Sequence, residues 1–334
     1  MQPEEFEKLS LEEQEKIFHQ TPFREKGELL LHSHNPLRLA GSLSEEELYL
    51  VTREVDLEER SEIIRYANLQ QLFFISDIDC WKKDRINAPG FMRWLETLEK
   101  ADEQRLLAWL VEMDYETVVA GLKTVIEVIK PETEYPSDEL LGDRPFFTLD
   151  ERYFILVNEE NFETLRRAIE LLFENHRGRY AALLEGILGE LDDEIEEEAY
   201  QKRGLRLADR GFPEPETAYR IYRPLTKKDF EAFPRKPTGA SKEKQFKAPF
   251  DLRAPHYLAL RSQEKLFLDE VLLLFQKDPP EVTEGFQEEL AWLSNKIVAC
   301  EGIDFASEER VRRGVDRARS IVSLALENLS GRNL

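Results

Sequence analysis

The sequence predicts a mainly α-helical protein: an irregular, solenoid-like helical array with one β-hairpin near residues 146–157 and a C-terminal helical hairpin. Three observations predict it. Between Leu37 and Lys130, Ser44, Asp56, Asn68, Asn87, Asp102 and Asp114 each precede a segment whose apolar residues recur at helical spacing. One stretch, Phe146–Leu149 and Tyr153–Val157 around Asp150-Glu151-Arg152, has the aromatic and β-branched character of paired strands. The last helix carries Val311, Val315, Ala318, Val322, Ala325 and Leu329 at alternating spacings of four and three.

In chain order, residues 1–35 read as an N-terminal arm with one short helix opening at Ser10, broken at Pro22 and at Asn35-Pro36. Residues 36–130 form the array. Ser44 with Glu47 is a capping-box pattern, each side chain satisfying an orphan backbone N–H. Asn87 stands two residues before Pro89, which suits a first helical turn. Asp102 and Asp114 place negative charge where the helix dipole is positive. Leu69 to Ile78 is apolar nearly all round and should be central. Phe91, Trp94, Leu95 and Leu98 make one stripe, and Val118, Leu122, Val125, Ile126 and Ile129 make another on a helix carried to Lys130. Short helices are marginal alone, so each must bury a face on its neighbours. The starts lie roughly 12 to 19 residues apart, too uneven for a repeat of fixed period. An ordinary all-α globular domain is the alternative.

Residues 131–212 hold the hairpin and longer helices. Phe162, Leu165, Ile169 and Leu172 form one face, and Gly178 ends or bends that helix. The next helix is expected to run unbroken, with Leu184, Ile187 or Leu188, Leu191 and Ile195 inward. From Ala181 to Glu198 it carries eight carboxylates and no basic residue, which reads as a solvated face. Residues 213–254 are a basic, proline-rich linker or loop, with ten Lys or Arg and four acids between Arg220 and Arg253. Residues 255–334 are a helical region. Its a/d seam wants one partner helix, either Val282–Cys300 or another chain, and the short connection favours the first.

Charge narrows the function. The chain has 46 basic and 68 acidic residues, a net charge of -22, which opposes non-specific contact with nucleic acid or anionic membrane. Two cysteines, Cys80 and Cys300, form no CxxC motif, so neither a disulfide framework nor a thiolate metal site is expected. Both read as buried structural thiols. The N-terminus has no basic n-region and no apolar signal core, and no segment suits a bilayer span, so a cytoplasmic protein without membrane insertion is expected.

No catalytic constellation stands out. Asp77 and Asp79, with Asp84 nearby, have the oxygen chemistry of a Mg²⁺ site. Lys82 and Lys83 intrude, and capping or solvation of these acids is favoured. Glu190–Glu198 lacks the Glu-x-x-His motifs of a di-metal bundle. Of the histidines (His19, His32, His34, His176 and His256), none has zinc spacing, and His176 suits a helix C-terminus. No phosphate loop, nucleophile elbow or HExxH motif is present, and no cofactor is called for. The residues Lys227, Lys228, Arg235, Lys236, Lys242, Lys244 and Lys247, interleaved with Phe230, Phe233, Phe246 and Phe250, are the candidate partner-binding set. Such a pattern grips single-stranded nucleic acid or docks on an acidic protein surface, and the net charge favours protein.

The motif Gln70-Gln71-Leu72-Phe73-Phe74-Ile75-Ser76-Asp77-Ile78-Asp79-Cys80-Trp81, followed by Asp84 and by Phe91-Met92-Arg93-Trp94-Leu95, resembles an uncharacterised bacterial family, a domain of unknown function. Leu324–Gly331 fits the same resemblance, which implies that members run on into further helices and that this chain is a short or truncated one. More loosely, residues 37–130 are similar to the helical repeats of magnesium-transporter N-domains and flagellar motor switch proteins, which implies a scaffold or regulatory role by fold alone. The expected function is therefore a scaffold or interaction protein that binds a protein partner. An enzyme with a site between the hairpin and its flanking helices, tested first at Tyr153, His176 and Arg179, is one alternative. Single-stranded nucleic-acid binding through residues 220–253 is the other. The oligomeric state is open.

Overall fold

The computed structural model describes residues 3–131, 136, 141–223, 266–275, 280–300 and 308–330. The fold is mainly α, with small antiparallel strand pairs, as expected. The chain divides into two compact units, Met1–Leu207 and Ala208–Leu334. The first holds 25 basic and 47 acidic residues and the second 21 of each, so the entire net charge of -22 belongs to the first.

The first unit opens with α1 (Pro3–Phe6), α2 (Leu11–Gln20) and α3 (Phe23–Leu31). The stretch expected to form an arm contributes Phe6, Phe18 and Leu30 to the core, and α3 packs against α5 and α6. Next come α4 (Pro36–Ser42), α5 (Glu45–Arg53), α6 (Leu57–Arg65) and α7 (Leu69–Asp79). Capping boxes close α2 with Ser10 and Glu13, α5 with Ser44 and Glu47, and α7 with Asn68 and Gln71. Asp56 and Asp102 accept backbone N–H groups at the starts of α6 and α9. Asn87 and Asp114 make no such bond.

Helix α7 is central, as its all-round apolar character predicts: Leu72, Phe74 and Ile75 are fully buried. Gln71 is buried as well, and its amide donates to the carbonyls of Ala40 and Leu43, tying the end of α4 to α7. On α8 (Ala88–Ala101) the stripe Phe91, Trp94, Leu95 and Leu98 lies inward. Trp94 meets Trp109 of α9 (Glu103–Glu112) edge-on, and the Trp109 indole donates to Ser76 Oγ at 3.2 Å.

One expectation requires correction here. The helix carried to Lys130 stops earlier: α10 is Tyr115–Lys123, and Ile126–Ile129 is strand β3. The run Val125–Ile129 is β-branched at every position but Glu127, and such residues lose little in an extended chain. Pairing decides the matter: β3 lies antiparallel to β5 (Phe154–Val157), which also pairs with β4 (Phe146–Phe147), in the order β3-β5-β4. The expected hairpin is thus the second half of a three-stranded sheet. Its turn is held by Asp150, whose carboxylate accepts from the N–H groups of Arg152 and Tyr153. A second short ladder, β1 (Trp81–Lys82) with β2 (Arg85–Ile86), follows α7 directly, with Lys83 in the left-handed region at its turn.

The helix expected to run through Leu191 is two helices. After α11 (Phe162–Asn175) come α12 (Arg177–Gly189) and α13 (Asp192–Asp209), and Leu188 and Leu191 at the break are exposed. Gly178 lies in the first turn of α12, and His176 stands between α11 and α12.

The second unit contains α14 (Pro215–Ala218), α15 (Phe267–Phe275), α16 (Pro280–Cys300) and α17 (Glu308–Ser330). Helix α17 packs along α16 and also against α15, so the a/d seam finds its partner within the chain. Val311, Val315 and Ala318 are buried, and Gly314 lets the two helices approach, since a Cβ there would meet Val298 at 2.6 Å. The seam does not continue as expected. Ser323 and Arg319 take the buried positions further along, bonded to the Leu268 N–H and to Asp269, while Ala325 and Leu329 are exposed.

Candidate functional site

Among the described residues, a dense group of charged side chains lies at the C-terminal end of α7, where the resemblance motif ends. A helix C-terminus carries partial negative charge, so carboxylates there need cations beside them. Asp77 and Asp79 both sit in this last turn, and α6 and α13 supply the cations. Asp77 is only 1 % exposed, and Arg206 grips it in fork geometry, with Nη2 to Oδ1 at 2.6 Å and Nε to Oδ2 at 2.8 Å. The third nitrogen of that guanidinium reaches Asp114, which explains why Asp114 does not cap α10. Arg203 Nε donates to the Asp77 carbonyl at 2.6 Å, and its guanidinium lies 5.3 Å from the Trp81 ring centroid. Trp81 in turn packs against Tyr200. Asp79 accepts from Tyr49 Oη at 3.1 Å and pairs with Arg60. Lys202 reaches Glu116 at 2.5 Å.

The electrostatics follow from burial and pairing. Burial, then the nearby Asp79 and Asp77 charges, push the Cys80 thiol well up, so it is a protonated, buried structural thiol. Burial likewise raises the Tyr49 phenol, with Asp79 adding to it. Burial opposes ionisation of Glu116, but the hydrogen bond from Lys202 prevails and holds its carboxyl below the usual range. Burial pulls Arg203 down from the ordinary arginine value.

This arrangement overturns both readings of the aspartates. Asp77 and Asp79 neither cap a following helix nor lie in solvent, and their oxygens face guanidinium groups, not an open cation site. Asp84 is not with them; it is in the exposed β1–β2 turn. The acidic run on α13 is also not simply solvated. Glu196 accepts the Ile86 N–H at 2.7 Å and pairs with Arg85, Asp193 pairs with Arg85, and Asp192 pairs with Lys123. Among the described residues, no group of three His, Cys, Asp or Glu side chains has the placement to hold a metal ion.

The residues that sequence reasoning missed are Arg60, Tyr49, Lys202, Arg203 and Arg206. A signal for three of them was present. Ile195, Ala199, Lys202, Arg203 and Arg206 recur at spacings of three and four or adjoin such a position, so they share one face of α13. That face is apolar at its start and basic at its end.

Tyr153, His176 and Arg179 have different surroundings. The buried Tyr153 donates to Glu185 at 2.5 Å, and burial with this bond pushes its phenol up to about 12. Arg179 donates to the carbonyls of Leu110 and Met113, closing the C-terminus of α9. His176 is exposed. Lys227, Lys228, Arg235, Lys236, Lys242, Lys244 and Lys247 lie outside the described residues. No helix among the described residues is long and apolar enough to cross a membrane.

No curated protein and no solved structure matches the chain. A family model described as "Family of unknown function (DUF6178)" matches residues 3–334. The motif at the end of α7 thus belongs to the region matched, and the chain is a member of this family of unknown function.

Proposed function

We propose that the protein is a cytoplasmic interaction protein that holds a protein partner on its helical surfaces. One observation carries this reading. Along the last turns of α17, Ile321, Leu324 and Leu329 are 41 %, 49 % and 73 % exposed, and Ala325 is exposed between them. Ala325 and Leu329 continue the apolar seam past the part buried by Val311, Val315 and Ala318, and Ile321 and Leu324 stand on the adjoining side of the helix. Exposed apolar stripes of this kind are used for helix-in-groove recognition. The polar cluster at the end of α7 supports the same reading, because its carboxylates are neutralised by arginines and serve to fasten helices together.

The test is site-specific photocrosslinking in the cell of origin. A crosslinker at Leu324 should give a discrete heterologous adduct, and one at the exposed Glu28 should not. Absence of an adduct at Leu324, or identical adducts at both sites, would overturn the reading.

A second reading, single-stranded nucleic-acid binding, is favoured by Tyr219 and Tyr222, exposed beside Arg220 and Arg223 at the start of the basic segment. The unit that carries them has no net charge to repel a polyanion. Binding of single-stranded DNA or RNA that weakens steeply with salt supports it, and no binding at low salt removes it.

A further inference from the structure

The two ends of α13 are held to the first unit by different kinds of contact. At the end near Leu207, Arg206 clamps the buried Asp77 and reaches Asp114, and Arg203 binds the Asp77 carbonyl against the Trp81 ring. At the start, each ion pair has at least one partner open to solvent, while Glu196 and Lys123, at 18 % and 14 % exposure, are the sheltered members. Arg85 is 62 % exposed and Asp193 89 % exposed, and Asp192, which meets Lys123 at 2.9 Å, is 87 % exposed. Only Ile195 and Ala199 are buried in that half of the helix. Among the described residues, no other element packs its backbone extensively along α13. The preceding link, Glu190-Leu191, is not helical, and Leu191 is exposed. Lys123 bridges this link, donating to the carbonyls of Ile187 and Glu190 while pairing with Asp192.

We propose that α13 is a strap, clamped at Arg203 and Arg206 and latched at its first two turns by Arg85 and Lys123. When those two cations are screened or drawn away, the first turns leave the body of the unit while the clamp stays closed. Opening uncovers the backbone of Ile86, the side of the β1–β2 ladder that Glu196 now covers, and the apolar side chains of Ile195 and Ala199. The device thus converts a change in local charge into exposure of a small mixed surface. It does not depend on the partner reading for α17.

Salt distinguishes the two ends. Screening length falls to about 3 Å at 1 M salt, which weakens exposed pairs strongly and buried ones little. Hydrogen–deuterium exchange of the full chain at 0.05 and 1 M NaCl therefore tests the strap. Amides of Ile195–Tyr200 should exchange about tenfold faster at high salt, while those of Arg203–Leu207 and of α8 change less than about twofold. Arg85→Ala and, independently, Asp193→Asn should reproduce part of the acceleration at low salt. Uniform acceleration along α13, or none in its first turns, would overturn the proposal.

Discussion

Removing the Arg206 guanidinium tests the central interlock most directly. In Arg206→Met the stem of the side chain is kept and the charge is lost. Asp77 then remains at 1 % exposure at the carbonyl end of α7, with its two guanidinium hydrogen bonds gone. Arg203 does not replace them, because its Nε serves the Asp77 carbonyl, not the carboxylate. Breaking one side of a buried pair costs about 3–5 kcal/mol, most of it from the stranded charge. Urea denaturation followed by far-ultraviolet circular dichroism reads this as a lower midpoint with an unchanged slope. The double variant Asp77→Asn/Arg206→Met should recover at least about 1 kcal/mol of the loss, since an amide needs no counter-charge. A single-variant loss below about 1 kcal/mol, or a double variant whose losses simply add, would refute the buried-charge argument.

Four further outcomes follow from the packing and the titrations. Gln71→Ala should cost about 2–3 kcal/mol in the same assay, because it strands the buried carbonyls of Ala40 and Leu43. Ser44→Ala should cost about 1 kcal/mol by breaking the capping box of α5, and a loss no larger than that of an exposed control such as Glu28→Ala would contradict the cap. Gly121→Ala drives a Cβ into the Phe91 ring where α10 meets α8 and should lower stability by about 1–3 kcal/mol; a neutral substitution would mean the helices separate freely. Tyr153 favours its protonated form in the folded state, with a pKa of about 12 against an unfolded value near 10. Its contribution is therefore complete below pH 10 and lost as pH rises from 10 to 12, so Tyr153→Phe should flatten the fall in stability over that window.

Local chemistry made much of the helical part legible. The capping residues at Ser10, Ser44, Asp56, Asn68 and Asp102 act within one turn of the chain, so they can be read without knowing what lies nearby. The stripe Phe91–Trp94–Leu95–Leu98 was equally plain, because burial of one face repeats every turn. The end of α10 was less so. Apolar residues at Ile126 and Ile129 satisfy helical spacing, and only the hydrogen-bonding partner β5 made the extended form the stable one. The lower half of the α17 seam differs for a related reason: heptad spacing states which residues want cover but not which positions the neighbours take, and here Arg319 and Ser323 are buried on Asp269 and Leu268 of α15.

The charged site illustrates the division most clearly. The sequence alone determined a mainly helical chain, an acidic one, most of its capped starts, its central apolar helix and a C-terminal helix in need of a partner. It also marked Asp77 and Asp79 as unusual, standing at the end of that apolar helix. Only the tertiary structure decided what they do. Arg206 lies far along the chain from Asp77, and Arg60 lies on the other side of it in sequence, so no spacing rule links them. Burial turned those carboxylates from solvated groups into groups that require a guanidinium, and the docking of α6 and α13 supplied it. Spacing puts Lys202, Arg203 and Arg206 on the face of Ile195 and Ala199, but only the docked helix turns that basic end inward onto Asp77.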